Sequence, residues 1–158
     1  MGYQSIYDRL RAAELTEAGA LAMLGNWDCE SNCESVRLQG DFSSYRTVSK
    51  QYASDVDSGR ISRDSFKNDQ KGFGLAQWTY FTRKAALYDF ARAKGKSIGD
   101  ESMQVDFALL ELRSDFSGLL NELKSPCSRT DSQLLSQSQL PSIASAPASV
   151  SSAARRRS

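Results

Sequence analysis

The chain has 158 residues, of which 20 are basic and 19 acidic, for a formal net charge of +1. That length supports one domain with its own core rather than two, and the charge balance gives no electrostatic case for nucleic acid or an anionic membrane surface. The count that excludes most is histidine, of which there is none. Ser-His-Asp and Cys-His catalysis and the His-containing zinc sites all need imidazole, so in an enzyme acid–base chemistry here would fall to carboxylates, helped by Lys, Tyr or Cys.

The first fifteen residues, MGYQSIYDRLRAAEL, carry a polar or charged group every few positions, so no secretory h-region forms and the product is expected to be made in the cytoplasm. No uninterrupted apolar run approaches the roughly 18–20 residues of a membrane span. Ile6, Leu10 and Ala13 are spaced for a short first helix. Thr16 is placed to cap a second, with Ala18, Leu21, Ala22 and Leu24 on its apolar face. Gly25-Asn26 is expected to weaken that helix just before Glu30. Residues 34–45, ESVRLQGDFSSY, read as loop or short strand with a turn at Gly40-Asp41.

A helix is predicted from Val48 to Val56, ending before Gly59, and Ser62 caps a turn containing Phe66. Thr79 is expected to cap a helix from Tyr80 to Lys94, closed by Gly95. Asp100 or Ser102 caps the next, with Met103, Phe107 and Leu110. Phe116, Leu119, Leu120 and Leu123 mark a last one. Composition then changes near Lys124. All fifteen aromatic residues and all ten glycines precede it, whereas Pro126, Pro141 and Pro147 follow, with eleven serines between 125 and 158 and a closing Arg155-Arg156-Arg157 run. Residues 1–124 carry 16 basic against 18 acidic groups, a balance of −2. The expectation is a mainly α domain over 1–124 with a small irregular or β region after the second helix, then a disordered tail over 125–158 that is not native to the fold. Cys29, Cys33 and Cys127 make no disulfide framework and read as buried reduced thiols.

Glu30 is the residue most suited to chemistry. It follows the apolar stretch ALAMLGNWDC, beside Trp27 and at a helix C-terminus. The negative end of the helix dipole and poor solvation both favour a protonated carboxyl, and a general acid must carry its proton into the reaction.

GNWDCES (Gly25 to Ser31), followed some forty residues later by GFGLAQWT (Gly72 to Thr79), resembles the phage tail lysozyme domain of the lysozyme and lytic transglycosylase superfamily. Glu30-Ser31 is similar to the catalytic Glu-Ser pair of that superfamily, and Gly74-Leu75-Ala76-Gln77 to its cleft-lining Gly-Leu-Met-Gln motif. TRKAALYDFARAKGKSIGD and MQVDFALLEL look like the helices that follow, so the resemblance covers roughly residues 15–123. It implies an α+β lysozyme-like fold and cleavage of the β-1,4 bond between N-acetylmuramic acid and N-acetylglucosamine in peptidoglycan, with Glu30 as general acid and no cofactor or metal. Ser31 would orient Glu30 or meet a sugar substituent, and Gln77 would suit an N-acetyl group. Gly72 and Gly74 would let the backbone approach substrate, while Phe73 and Trp78 would stack on sugar faces. Asp41 is the first candidate for a second carboxylate and Asp69 the next; a single-glutamate route to a 1,6-anhydro product is the alternative. The implied partners are peptidoglycan strands and phage-tail or conjugation-machine components, without nucleic acid or membrane insertion, and the site of action is the cell wall. The rival reading is a catalytically silent glycan-binding or tail-structural module with the same fold.

Overall fold

The computed structural model describes residues 2–126. The rest of the expected tail, with Cys127 and the arginine run, lies outside the described residues. Seven helices occur in that span: α1 (Tyr3–Ala12), α2 (Glu17–Ser31), α3 (Thr47–Asp57), α4 (Arg63–Asn68), α5 (Phe81–Lys94), α6 (Glu101–Ser114) and α7 (Ser117–Lys124). Three start on the cap residues that the sequence offers. The side chains of Thr16, Ser62 and Asp100 accept from the backbone N–H of Gly19, Ser65 and Met103 at 3.0, 3.1 and 2.8 Å. Each satisfies a donor that the first turn cannot pair internally.

Helix α2 runs unbroken through Gly25 to Ser31. A mid-helix glycine costs about 1 kcal/mol, but Met23, Leu24 and Trp27 on either side of it are buried, and each fully buried apolar side chain returns roughly 1.5–3 kcal/mol. Packing wins. Helix α6 is the central element, touching α1, α5 and α7. Its residues Met103, Val105, Phe107, Ala108, Leu109 and Leu112 are buried, and only the face carrying Asp106, Leu110 and Arg113 meets solvent, as befits a helix packed against several others. Helix α7 docks on the start of α2, where the Leu123 carbonyl accepts from both the backbone N–H and the hydroxyl of Thr16, each at 3.0 Å.

Helix α5 begins at Phe81 with Tyr80 as its cap, one residue later than the sequence suggested. The Thr79 hydroxyl instead donates to the Gln77 carbonyl at 2.9 Å, so it serves the preceding loop. Gly95 closes the helix in the left-handed conformation, as expected. The cysteines divide: Cys33 is buried, but Cys29 is exposed, and both are free thiols. Burial pushes the Cys33 thiol up to about 11.

The irregular region between α2 and α5 contains two isolated antiparallel bridges, Leu38 to Phe73 and Phe73 to Trp78. Gln39 N–H donates to the Gly72 carbonyl and Gly74 N–H to the Arg37 carbonyl, both at 2.8 Å. Three short extended pieces thus lie side by side where a small sheet was expected. Among the described residues no helix is long and apolar enough to cross a membrane.

Candidate active site

The site is assembled where the C-terminal end of α2 meets the Gly72–Thr79 hairpin. Ser31, the last residue of α2, is buried, and its Oγ lies 2.9 Å from the Trp27 carbonyl and 2.8 Å from the Leu75 carbonyl. The first contact is to the preceding turn. The second crosses to the hairpin and fixes the helix end against it. Glu30, one residue earlier and half-buried, is therefore carried on a helix end pinned to the glycine-rich segment. Trp27, one turn before Glu30, has no exposed surface, and its indole N–H has no hydrogen-bond partner.

The hairpin is held by a residue that sequence reading missed. Gln104, fully buried on α6, accepts from Leu75 N–H at 2.9 Å and donates to the Ser35 and Ile98 carbonyls at 2.8 and 2.7 Å. One amide side chain thereby joins α6, the hairpin and the segments on either side. This packing explains Gly74. Its φ is +78°, and a Cβ there would sit 2.6 Å from the Gln104 amide oxygen. Gly72 answers to a different neighbour, since a Cβ would meet the Gln77 amide oxygen at 2.8 Å.

Gln77 is buried within the same loop. Its amide nitrogen donates to the Arg37 and Gly74 carbonyls at 3.1 and 2.9 Å. Both amide protons are committed to the loop, which leaves the carbonyl oxygen as its remaining polar atom. Phe73 and Trp78 do not meet the stacking expectation, because neither ring has any exposed surface. Phe73 packs against Tyr52 and Phe66, with centroids 5.6 and 6.1 Å away. Trp78 lies against Phe107 at 5.6 Å, and its indole N–H donates to Glu111 at 2.9 Å. Glu111 also takes a two-pronged contact from Arg83 at 2.7 and 2.8 Å. Both rings lie in the interior, where they anchor the hairpin to the core.

Both candidate second carboxylates are engaged inside the protein. Asp41 is buried and accepts four hydrogen bonds: Ser43 N–H and hydroxyl at 3.0 and 2.5 Å, and Ser49 N–H and hydroxyl at 3.0 and 2.6 Å. The Ser43 and Ser49 hydroxyls hold it well below the usual carboxylate range. Ser49 is the third residue of α3, so Asp41 caps that helix from outside, in place of Arg46, whose side chain makes no capping bond. Asp69 pairs with Lys84 and accepts from the Tyr52 hydroxyl and from Lys71 N–H. The Lys84 side chain is fully buried and also donates to the Lys71 carbonyl at 2.9 Å. Burial pushes the Lys84 ammonium down against the upward pull of Asp69, and burial together with Asp69 pushes the Tyr52 hydroxyl up.

Backbone strain concentrates here as well. Among the described residues, the non-glycine residues with positive φ are Glu14, Asn32, Cys33, Arg46, Gln70 and Gln77. All but Glu14 border the helix end, the following loop or the hairpin. Such conformations persist where the surroundings over-determine them, which is common at functional sites.

A helical domain whose Glu-Ser pair ends a helix against a glycine-rich hairpin, with a nearly strandless region between, belongs to the lysozyme-like class. The phage tail lysozyme family profile matches residues 2–145, and the chain belongs to that family. The matched span runs past residue 124 into the segment read as tail. No curated protein and no solved structure matches the chain. Family membership supports a lysozyme-like glycosidase that acts on peptidoglycan, with association to a phage tail.

Proposed function

We propose that the chain cleaves the β-1,4 bond between N-acetylmuramic acid and N-acetylglucosamine, with Glu30 as the general acid. The observation that carries this reading is the Ser31 contact to the Leu75 carbonyl, which seats the Glu-Ser helix end on the Gly72–Thr79 hairpin. Glu30 would protonate the departing glycosidic oxygen. Ser31 would position it, since its one hydroxyl proton is shared between two carbonyls within the fold. Gly72, Gly74 and Gln77 would shape the cleft wall through their packing, and Phe73 and Trp78 would support it from behind.

For the second half of the reaction, the internal engagement of Asp41 and Asp69 favours a route through one carboxylate. In that route the muramic acid C6 hydroxyl attacks C1, its proton passes to the Glu30 carboxylate, and a 1,6-anhydro sugar leaves. Asp41 would then serve the site by fixing the loop that follows α2. The expected setting is the bacterial cell wall, reached with a virion tail or a conjugative machine.

Purified cell walls treated with the wild type and Glu30→Gln supply the test. The wild type is expected to clear them and the variant to leave them turbid; equal clearing by both would remove the assigned acid. Mass spectrometry of the released fragments distinguishes anhydro ends, one water lighter, from reducing ends. Binding without clearing by the wild type would support the silent module instead.

A further inference from the structure

The loop from Gln39 to Arg46 is ordered from the inside. Asp41 holds Ser43 and Ser49, and Arg46 Nη1 donates to the Asp41 and Ser43 carbonyls at 3.2 and 2.7 Å. Arg46 Nε meets Glu34 at 2.5 Å, and Glu34 N–H donates to the Ser31 carbonyl at 3.1 Å. The loop is thus tied to the same turn that ends the helix carrying Glu30. Its stem is tied to the hairpin through the Leu38–Phe73 bridge.

With Asp41 and Arg46 turned inward, Phe42 and Tyr45 face water. They are 86 and 83 % exposed, and the next most exposed large apolar side chain among the described residues, Val48, is at 58 %. Exposed Phe81 lies against Tyr80 with centroids 4.8 Å apart, but neither Phe42 nor Tyr45 packs on another ring among the described residues. Two bare rings on a firmly braced loop lose little freedom when a ligand settles on them, and the fold gains nothing from displaying them.

We propose that Phe42 and Tyr45 form a stacking platform that grips a peptidoglycan glycan strand beyond the bond being cut. This rests on the peptidoglycan reading above. A pyranose ring offers an apolar C–H face with hydroxyls at its edge, which suits aromatic rings with a polar surround. Exposed Ser44 and Gln39 supply that surround, Gln39 through its amide nitrogen, since its amide oxygen accepts from Gly72 N–H at 2.9 Å. Residues 38–45, LQGDFSSY, carry no basic group, and Arg46 is already paired with Glu34. An anionic lipid surface therefore finds no cationic partner on this loop.

The test uses the full chain in the Glu30→Gln background, so that turnover does not disturb binding to purified sacculi. The Phe42→Ala/Tyr45→Ala double variant is expected to bind sacculi about tenfold more weakly than its parent. Its thermal midpoint should not move, and Tyr45→Phe should keep its grip because the ring face is retained. Equal binding by parent and double variant overturns the platform, as does a parent that does not bind at all. So does unchanged sacculus binding combined with a loss confined to phosphatidylglycerol vesicles or to self-association in sedimentation. If Glu30→Gln still clears walls but the double variant loses binding, the assigned acid fails while the platform stands.

Discussion

Replacing Gln104 with alanine removes three hydrogen bonds at once, to Leu75 N–H and to the Ser35 and Ile98 carbonyls. A buried backbone group left without a partner costs about 1–3 kcal/mol, so three of them bound the loss at roughly 3–9 kcal/mol. The vacated space is polar and of amide size, so one water should enter and satisfy some of the three. The expected loss is therefore about 3 kcal/mol, a large share of the roughly 5–15 kcal/mol that holds a typical domain. With a urea slope of about 1.5 kcal/mol/M, the unfolding midpoint should fall by about 2 M at unchanged slope. Gln104→Glu refines the test. It keeps an acceptor for Leu75 N–H but faces two carbonyls with a carboxyl that can donate to one of them, and only when protonated. Its folded pKa is raised, so its contribution is present below the ordinary glutamate value of about 4.3 and lost as pH rises through the raised one. A loss under about 1 kcal/mol in Gln104→Ala, or pH-independent stability in Gln104→Glu between about pH 4 and pH 8, would refute the assignment of this side chain as the tie beneath the hairpin.

Gly19→Ala places a Cβ 2.2 Å from the Leu123 carbonyl oxygen, forcing α7 away from Thr16. A clash cost of about 2 kcal/mol less a helix-propensity gain of about 1 kcal/mol leaves a net loss of about 1 kcal/mol, which should lower the melting temperature by about 3 °C, and an unchanged or higher melting temperature would contradict it. Asp41→Asn should destabilise at neutral pH. The Asp41 pKa is depressed in the fold, so its contribution is present above the ordinary aspartate value of about 3.9 and fades as pH falls toward the depressed one. Wild-type and variant denaturation midpoints should therefore converge in acid. Lys84→Met leaves the Asp69 carboxylate without its cation and should cost about 3 kcal/mol; adding Asp69→Leu should recover part of that, as a double-mutant cycle in urea would show.

The helices were legible because their apolar residues recur at helical spacing and because Thr16, Ser62 and Asp100 cap as their side chains allow. Thr79 misled because a hydroxyl before a helix can turn either way, and here the loop carbonyl of Gln77 took it. The Glu30-Ser31 pair and the glycines of the hairpin were readable as a motif. What Phe73 and Trp78 do was not, since a ring on a strand serves a core or a ligand according to which face the pairing turns inward. Gln104, Lys84 and Glu111 left no signal either. Each reads as an ordinary polar residue on a helix surface, and its partners lie far along the chain: Leu75 is 29 residues from Gln104, and Ser35 is 69. The left-handed Asn32, Cys33 and Gln77 were equally hidden, because glycine is the residue that advertises such backbone.

The seating of α7 on Thr16 lies at the end of α2 farthest from Glu30. Helix α2 is 15 residues long, and at 1.5 Å per residue its two ends stand about 22 Å apart. A change at the α7 contact would therefore reach Glu30 along the whole length of α2, so Thr16 can be altered for stability at a distance from the candidate site.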